Sequence, residues 1–389
     1  MYLYYFLAAV ACWFGIQSLL NGRRFAAYVR RETSRALPDF QPFVSVIAPT
    51  RGFEAGFEDN IRPLLAQDYR AYEVLFVFDD DADPGVEIVE GLGGRIVISG
   101  PAKSMGQKVH NLIAAVGALD TRCEVVVFVD TDARPDNDWL RKLVAPLADE
   151  TLGASTGYRW FIPERGGIAS RLRGVWNASI ASALGANAEK NFCWGGSTAI
   201  RRSTFERLNV VDHWQGTVSD DFTITRVLKD AKLTIHFTPN CLVPSIGDCG
   251  FRELLEFTTR QIKITRVYAS NLWLPLMLGS GLFTIVFFGG IVLWLASGAV
   301  PVLVIVAVLF LLGAAKSFIR WRAVSIPLSE HRSNRELLAH IFLWPVASLL
   351  YFWNTIVAGF SRRIKWRGIT YELKSSSEAV IISREPALD

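Results

Sequence analysis

The chain alternates between two kinds of pattern. Residues 3–20, LYYFLAAVACWFGIQSLL, run for eighteen positions without a charge, just enough for a helix to cross a hydrocarbon core of about 30 Å. Two more uncharged or nearly uncharged runs, 272–297 and 300–319, are separated by two residues, which predicts a transmembrane hairpin. Residues 337–360 are apolar as well, but Pro345 divides them into pieces of eight and fifteen residues, each too short to span. Basic residues flank this segment on both sides, Arg320, Arg322, Arg332 and Arg335 before it and Arg362, Arg363, Lys365 and Arg367 after it. A re-entrant or interfacial hairpin therefore satisfies the retention of positive charge on one side better than a third C-terminal crossing. From Phe43 to about Gly250 the pattern changes to short β-branched runs alternating with helical stretches, which predicts an α/β domain with a mostly parallel central sheet.

These patterns divide the chain into an N-terminal transmembrane anchor (1–22), a basic interfacial segment (23–42), the α/β domain (43–250), a membrane-proximal interfacial helix (251–271), the transmembrane hairpin (272–319), the apolar segment 337–360 and a basic tail (361–389). Composition supports a partly lipid-facing protein: 51% of residues are apolar against 20% charged, with 12 Trp and 25 Phe. The net charge of +4 is small, and the cations gather beside apolar runs, as in Arg23, Arg24, Arg30 and Arg31. Such clusters suit anionic headgroups rather than a nucleic-acid groove, so no nucleic acid is expected as a partner. No basic stretch precedes residue 3 and no small-residue cleavage site follows residue 20, so the run reads as an anchor rather than a cleaved signal. Charge bias places the N-terminus outside and the α/β domain in the cytosol, as in an integral protein of a bacterial inner membrane. Five cysteines without a CxxC pair suggest neither zinc nor a disulfide framework.

Candidate chemistry collects at strand ends. FVSVIAPT (43–50) ends in Pro49 and Thr50, EVLFVFDDDADP (73–84) runs into Asp79, Asp80, Asp81 and Asp83, GRIVIS (94–99) is a third strand, and EVVVFVDTDARP (124–135) ends in Asp130 and Asp132. Open α/β sheets bind ligands at the carboxyl ends of their strands. Two carboxylates at i and i+2 after a buried strand can turn toward one hard cation, Mn2+ or Mg2+, whereas the acidic run at 79–83 reads equally well as a solvated turn. Lys108 opens a helix after the third strand, where it can meet a phosphate or a nucleobase or simply face solvent. Trp194 with Gly195 and Gly196 offers a flat ring and close backbone approach to a ligand, or a turn over a core tryptophan. Asp220 and Asp221 begin a helix, with Asp220 a candidate N-cap and one of the pair a candidate general base. No GxxxxGK[ST] loop and no strand-borne GxGxxG occur, so diphosphate recognition must come from metal and cationic side chains.

The ordered set VSVIAPTRG (44–52), NIRPLLAQDYRAYEVLFVFDDDADP (60–84), KVHNL (108–112), FVDTDARP (128–135), GGS (195–197) and SDDF (219–222) resembles family 2 glycosyltransferases with a GT-A nucleotide-sugar-binding domain, most closely the ceramide glucosyltransferase group. The resemblance implies that Asp80 contacts the nucleotide, Asp130 and Asp132 form a metal-binding DxD, and Asp221 is the general base. The family's (Q/R)xxRW signature falls on Arg260, Gln261, Ile262, Lys263 and Ile264. It keeps Arg260 and Lys263 for donor phosphates and loses the tryptophan that meets the acceptor. IKWRGITYEL (364–373) is similar to the WRGxxY tail of related bacterial enzymes. The implied reaction is inverting transfer of a hexose, glucose by resemblance, from a UDP-sugar to a membrane lipid hydroxyl such as ceramide, the anchors holding the site at the headgroup layer. Hopanoid, diacylglycerol or polyprenyl phosphate as acceptor, a polysaccharide synthase and a non-catalytic scaffold remain as alternatives.

Overall fold

The computed structural model describes residues 1–52 and 56–385, and these form two compact units. One gathers Ser34–Trp160, Asn187–Ile246 and the chain from Arg362; the other gathers Met1–Thr33, Phe161–Ala186 and Gly247–Ser361.

The first unit is built on seven strands, β1 (Val44–Pro49), β2 (Tyr72–Phe78), β3 (Arg95–Ile98), β4 (Val125–Val129), β5 (Leu152–Ile162), β6 (Ser197–Arg201) and β7 (Thr234–Ile246), ordered β3-β2-β1-β4-β6-β5-β7. β1 runs parallel to β2 and β4, and β2 to β3, while β6 is antiparallel to β4 and to β5. The expected α/β class is thus present, with a parallel half extended by antiparallel strands. All five residues of β4 are buried, as a strand covered on both faces requires. The Gln107–Val116 helix presses Val109, Leu112 and Ala115 into one cluster with Ile47, Leu75, Val77, Val126 and Phe128.

Register aligns the chemistry. Pro49 pairs with Val77, and Ile47 with both Leu75 and Phe128, so Thr50, Asp79 and Asp130 all emerge at one rim. Val129 pairs with Ser197 across the antiparallel step. The residues before Ser197, Gly195 and Gly196, therefore leave the sheet at that same rim.

Residues beyond 361, expected only as a basic tail, fold into an antiparallel sheet of β8 (Arg363–Trp366), β9 (Ile369–Ser375) and β10 (Glu378–Arg384); the tail from 386 lies outside the described residues. Ile369, Tyr371 and Leu373 alternate as buried residues along β9, the period of a strand with one covered face. Tyr371 Oη accepts from Gln107 N at 3.1 Å, Arg226 donates to Ser376 Oγ at 2.9 Å, and Arg384 reaches Asp79 at 3.2 Å. This small sheet thereby holds the start of the Lys108 helix, the helix that begins at Asp220 and the end of β2.

The second unit is helical. Tyr2–Thr33, Ser270–Ser297 and Val300–Val324 are long and apolar enough to cross a membrane. Ala8 and Ala11 of the first pack with Val286, Phe287, Val306 and Leu309 of the other two, while Leu3, Leu278, Leu295 and Leu311 stay exposed, as lipid-facing side chains do. The first helix continues unbroken through Arg23, Arg24, Arg30 and Arg31. The segment expected at 337–360 is two helices, Asn334–Phe342 and Trp344–Phe360, bent by 57°, with Pro345 in the first turn of the second. The Ile168–Ala181 helix, which the 43–250 boundaries assign to the α/β domain, clusters here instead. Leu172, Val175 and Trp176 bury against Leu254, Ile262, Leu350 and Tyr351, and the Trp176 and Tyr351 rings stack at 4.7 Å.

Candidate active site

At the rim of the sheet, three carboxylates and two cations interlock. Lys108 Nζ lies 2.8 Å from Asp130 Oδ1 and 3.3 Å from Asp220 Oδ2. Arg159, on β5, reaches Asp130 Oδ2 at 2.9 Å and Asp132 Oδ2 at 3.2 Å, and its guanidinium stands 4.9 Å over the Trp194 ring. Asp130 is therefore held on both oxygens. Burial works to raise its carboxyl, but Lys108 and Arg159 outweigh that and keep it below the usual carboxylate range. Burial likewise opposes charge on Lys108, yet Asp130 and Asp220 hold its ammonium firmly protonated.

Asp220 has the opposite balance. It is 2% exposed, and its Oδ2, although close to Lys108, accepts no hydrogen bond among the described residues. Burial raises its carboxyl, Lys108 pulls it down, and Asp221 and Asp130 push it up again, which together bring it to about 6. Because the folded value exceeds that of the unfolded chain, about 3.9, the contribution of this group to stability is present below pH 4 and is lost as pH rises through 6. Melting scans from pH 4 to 7 should therefore show the parent losing ground against Asp220→Asn, by ~2–3 kcal/mol across the window. A difference that is flat with pH refutes the assignment.

Asp221 follows on the same helix, Asp220–Asp230. The N-cap of that helix is Ser219, whose Oγ accepts from Phe222 N at 3.4 Å, rather than Asp220. A hydroxyl one residue earlier fills the role and leaves Asp220 to point inward. Asp221 Oδ1 accepts from Phe222 N at 2.7 Å and from the Ser219 hydroxyl, and its charge acts on Lys108.

The glycine pair is required by crowding. A Cβ on Gly195 would collide with the Asp220 carboxylate and stand 2.8 Å from Lys108 Nζ; one on Gly196 would strike the Trp194 ring and lie 2.7 Å from Asp130 Oδ2. Overpacking of this kind costs ~1–3 kcal/mol, so Gly195→Ala should lower the melting point by several degrees and reduce turnover about tenfold or more by separating Asp220 from Lys108, read as kcat at a temperature where the variant is fully folded. Parental kcat would show that the pair tolerates displacement.

The remaining expected residues are distributed as follows. Pro49 ends β1, and Thr50 is buried, its Oγ1 donating to Ala48 O at 3.1 Å. Asp80 is exposed and accepts from Ala82 N at 3.0 Å; it stands at the end of β2, with β1 between it and the Asp130 group. Its neighbours have other duties. Asp79 is buried and ion-paired with Arg51 and Arg384, and Asp83 caps the Pro84–Gly91 helix through Gly85 N at 2.9 Å. Trp194 lies beside Tyr158 at 5.5 Å with Arg159 on its face. Arg260 and Lys263 belong to the helical unit, on Phe251–Tyr268, where Arg260 lies over Phe257 and Lys263 reaches Ser361 Oγ at 3.4 Å. Sequence reasoning missed Arg159, whose one signal is a cation inside the aromatic run Tyr158, Trp160, Phe161.

A profile described as Glycosyl transferase family 21 matches residues 3–379, and the chain belongs to that family. It is 30% identical over 104 residues to ceramide glucosyltransferase 1 of Caenorhabditis elegans, a match that covers 24% of this chain and 22% of that relative's length. Among solved structures, the mannosyltransferase PcManGT from Pyrobaculum calidifontis, in complex with GDP-Man and Mn2+, is 19% identical, with 90% of this chain and 98% of that chain covered at a TM-score of 0.48. Glucosyl-3-phosphoglycerate synthase from Mycobacterium tuberculosis, in complex with Mn2+ and UDP-glucose, is 18% identical, with 61% and 80% covered at a TM-score of 0.40.

Proposed function

We propose that this family 21 glycosyltransferase moves a hexose, with inversion, from a UDP-sugar to the hydroxyl of a membrane lipid of the ceramide type, from a cytosolic α/β unit of a bacterial inner-membrane protein. The observation that carries the reading is the convergence of Asp130, Asp132 and Asp220, with Asp221 beside them, on Lys108 and Arg159 at the carboxyl rim of the sheet. Asp221 takes the proton of the acceptor hydroxyl while that oxygen attacks the anomeric carbon opposite the departing diphosphate. Lys108 and Arg159 place positive charge where the leaving group gathers negative charge, and Asp80 binds the nucleotide.

The donor set fits a divalent cation. Asp130 and Asp132 are hard oxygen ligands already bridged by one cationic group, Arg159. Together they supply only part of a coordination shell, and no group of three His, Cys, Asp or Glu side chains forms a metal cluster among the described residues. Asp130 and Asp132 would hold Mn2+ or Mg2+, and the positive charge it would supply there would offset that of the donor diphosphate.

The test is direct. Purified full-length protein, given UDP-glucose, UDP-galactose or GDP-mannose with ceramide, diacylglycerol or a hopanoid, should form a glycolipid from a UDP-sugar and ceramide, and lose that activity in Asp130→Asn. Absence of both glycolipid and released nucleotide across the panel would rule out the transferase reading, and product with another lipid alone would move the acceptor.

A further inference from the structure

The helical unit contains two cations, with a histidine beside them, for which the transfer chemistry has no use. Lys316 and Arg320 stand one turn apart near the end of the Val300–Val324 helix. His340, on the Asn334–Phe342 helix, lies within electrostatic reach of Arg320, as does Lys316. Arg320 is 3% exposed and His340 2%. Among the described residues the Arg320 Nε finds no hydrogen-bond partner, and no carboxylate forms an ion pair with its guanidinium. The group acting on it from the Trp344–Phe360 helix is the Tyr351 phenol, whose hydroxyl already donates to Trp176 O at 2.9 Å. Glu336, one turn before His340, is committed to Arg171 at 3.0 Å. Lys316, half-buried, donates to Ser18 Oγ at 2.8 Å.

A buried guanidinium without an anion is costly, and a second cation four residues away on the same helix adds repulsion. Ionisable groups inside a bundle of this kind are kept where they bind something. What is missing is an anion. The planar fork of Arg320 matches phosphate oxygens, with Lys316 at the outer side of the cluster. The same helix exposes Val308, Leu311 and Phe318, an apolar surface suited to acyl chains rather than water.

We propose that Lys316, Arg320 and His340 form a binding site for the phosphate group of an anionic lipid. None of these residues is among those assigned to the donor, and the site is independent of which sugar is transferred. Full-length protein stripped of lipid in neutral detergent should melt roughly 3–5 °C higher with phosphatidylglycerol at saturating levels, and unchanged with phosphatidylcholine. Arg320→Met should fold and lose that response. Stabilisation by inorganic phosphate alone, also lost in Arg320→Met, supports the same site with a soluble source of the group. The proposal is overturned if neither phosphatidylglycerol nor phosphate shifts the melt, or if Arg320→Met responds to phosphatidylglycerol as the parent does. Should Arg320→Met not fold, Lys316→Met with native mass spectrometry decides: less retained phosphatidylglycerol than the parent supports the site, and equal retention overturns it.

Discussion

Replacing Asp221 by Asn is expected to lower sugar transfer by about 10²–10⁴, the usual contribution of a general base, while binding of the UDP-sugar measured by calorimetry stays close to parental. The local geometry makes this a clean substitution. Asp221 Oδ1 accepts from Phe222 N at 2.7 Å, a bond that an amide oxygen keeps, so the helix start survives. Among the described residues no hydrogen bond holds the other oxygen, and it is the atom available to a hydroxyl proton. Loss of rate together with loss of binding would mean that Asp221 shapes the donor pocket instead, and a parental rate would remove it from the reaction.

The second large effect lies in the acidic run at the end of β2, where adjacent aspartates should behave in opposite ways. Asp79→Ala is expected to destabilise the protein by ~3–5 kcal/mol, because removing one partner of a buried ionic group strands the others. Here Arg51 and Arg384 would both lose their carboxylate, at a site where Asp79 is 5% exposed. Asp80→Ala, at an exposed position, should leave the melting point nearly unchanged and raise the KM for the donor. Thermal melts and donor titrations of the two variants separate the roles. Equal stability would show that the Asp79 cluster contributes little, and an unchanged KM in Asp80→Ala would move nucleotide contact to another residue.

The contrast between these neighbours explains what the sequence could and could not convey. Strand ends are legible because the apolar stretches that close β2, residues 74–78, and make up β4, Val125–Val129, stop abruptly at aspartates, and in a parallel sheet such stops share one rim. Which member of Asp79, Asp80 and Asp81 faces inward depends on Arg51 and on Arg384, which is more than 300 positions away in the chain, and no local pattern carries that. Arg159 was hidden for a similar reason. It lies on a strand that pairs with β6, and its carboxylates, Asp130 and Asp132, come from another strand's end. The N-cap was misplaced by one residue because Ser219 and Asp220 are both good caps, and burial of Asp220 decided between them. The three-stranded sheet beyond 361 is signalled by the alternation of Ile369, Tyr371 and Leu373, a pattern that the surrounding basic residues mask.

That small sheet has a consequence for biogenesis. Among the described residues its strands follow the three helices long enough and apolar enough to cross a membrane, yet the sheet holds the start of the helix that bears Lys108 and, from its β9–β10 turn, the middle of the helix that begins at Asp220. A ribosome therefore delivers these three helices before it delivers this brace of the α/β unit. Until then Asp79 has only one of its two arginines, so the nascent chain emerges with its sugar-handling machinery unfinished and completes it only after the hydrophobic helices have left the exit tunnel.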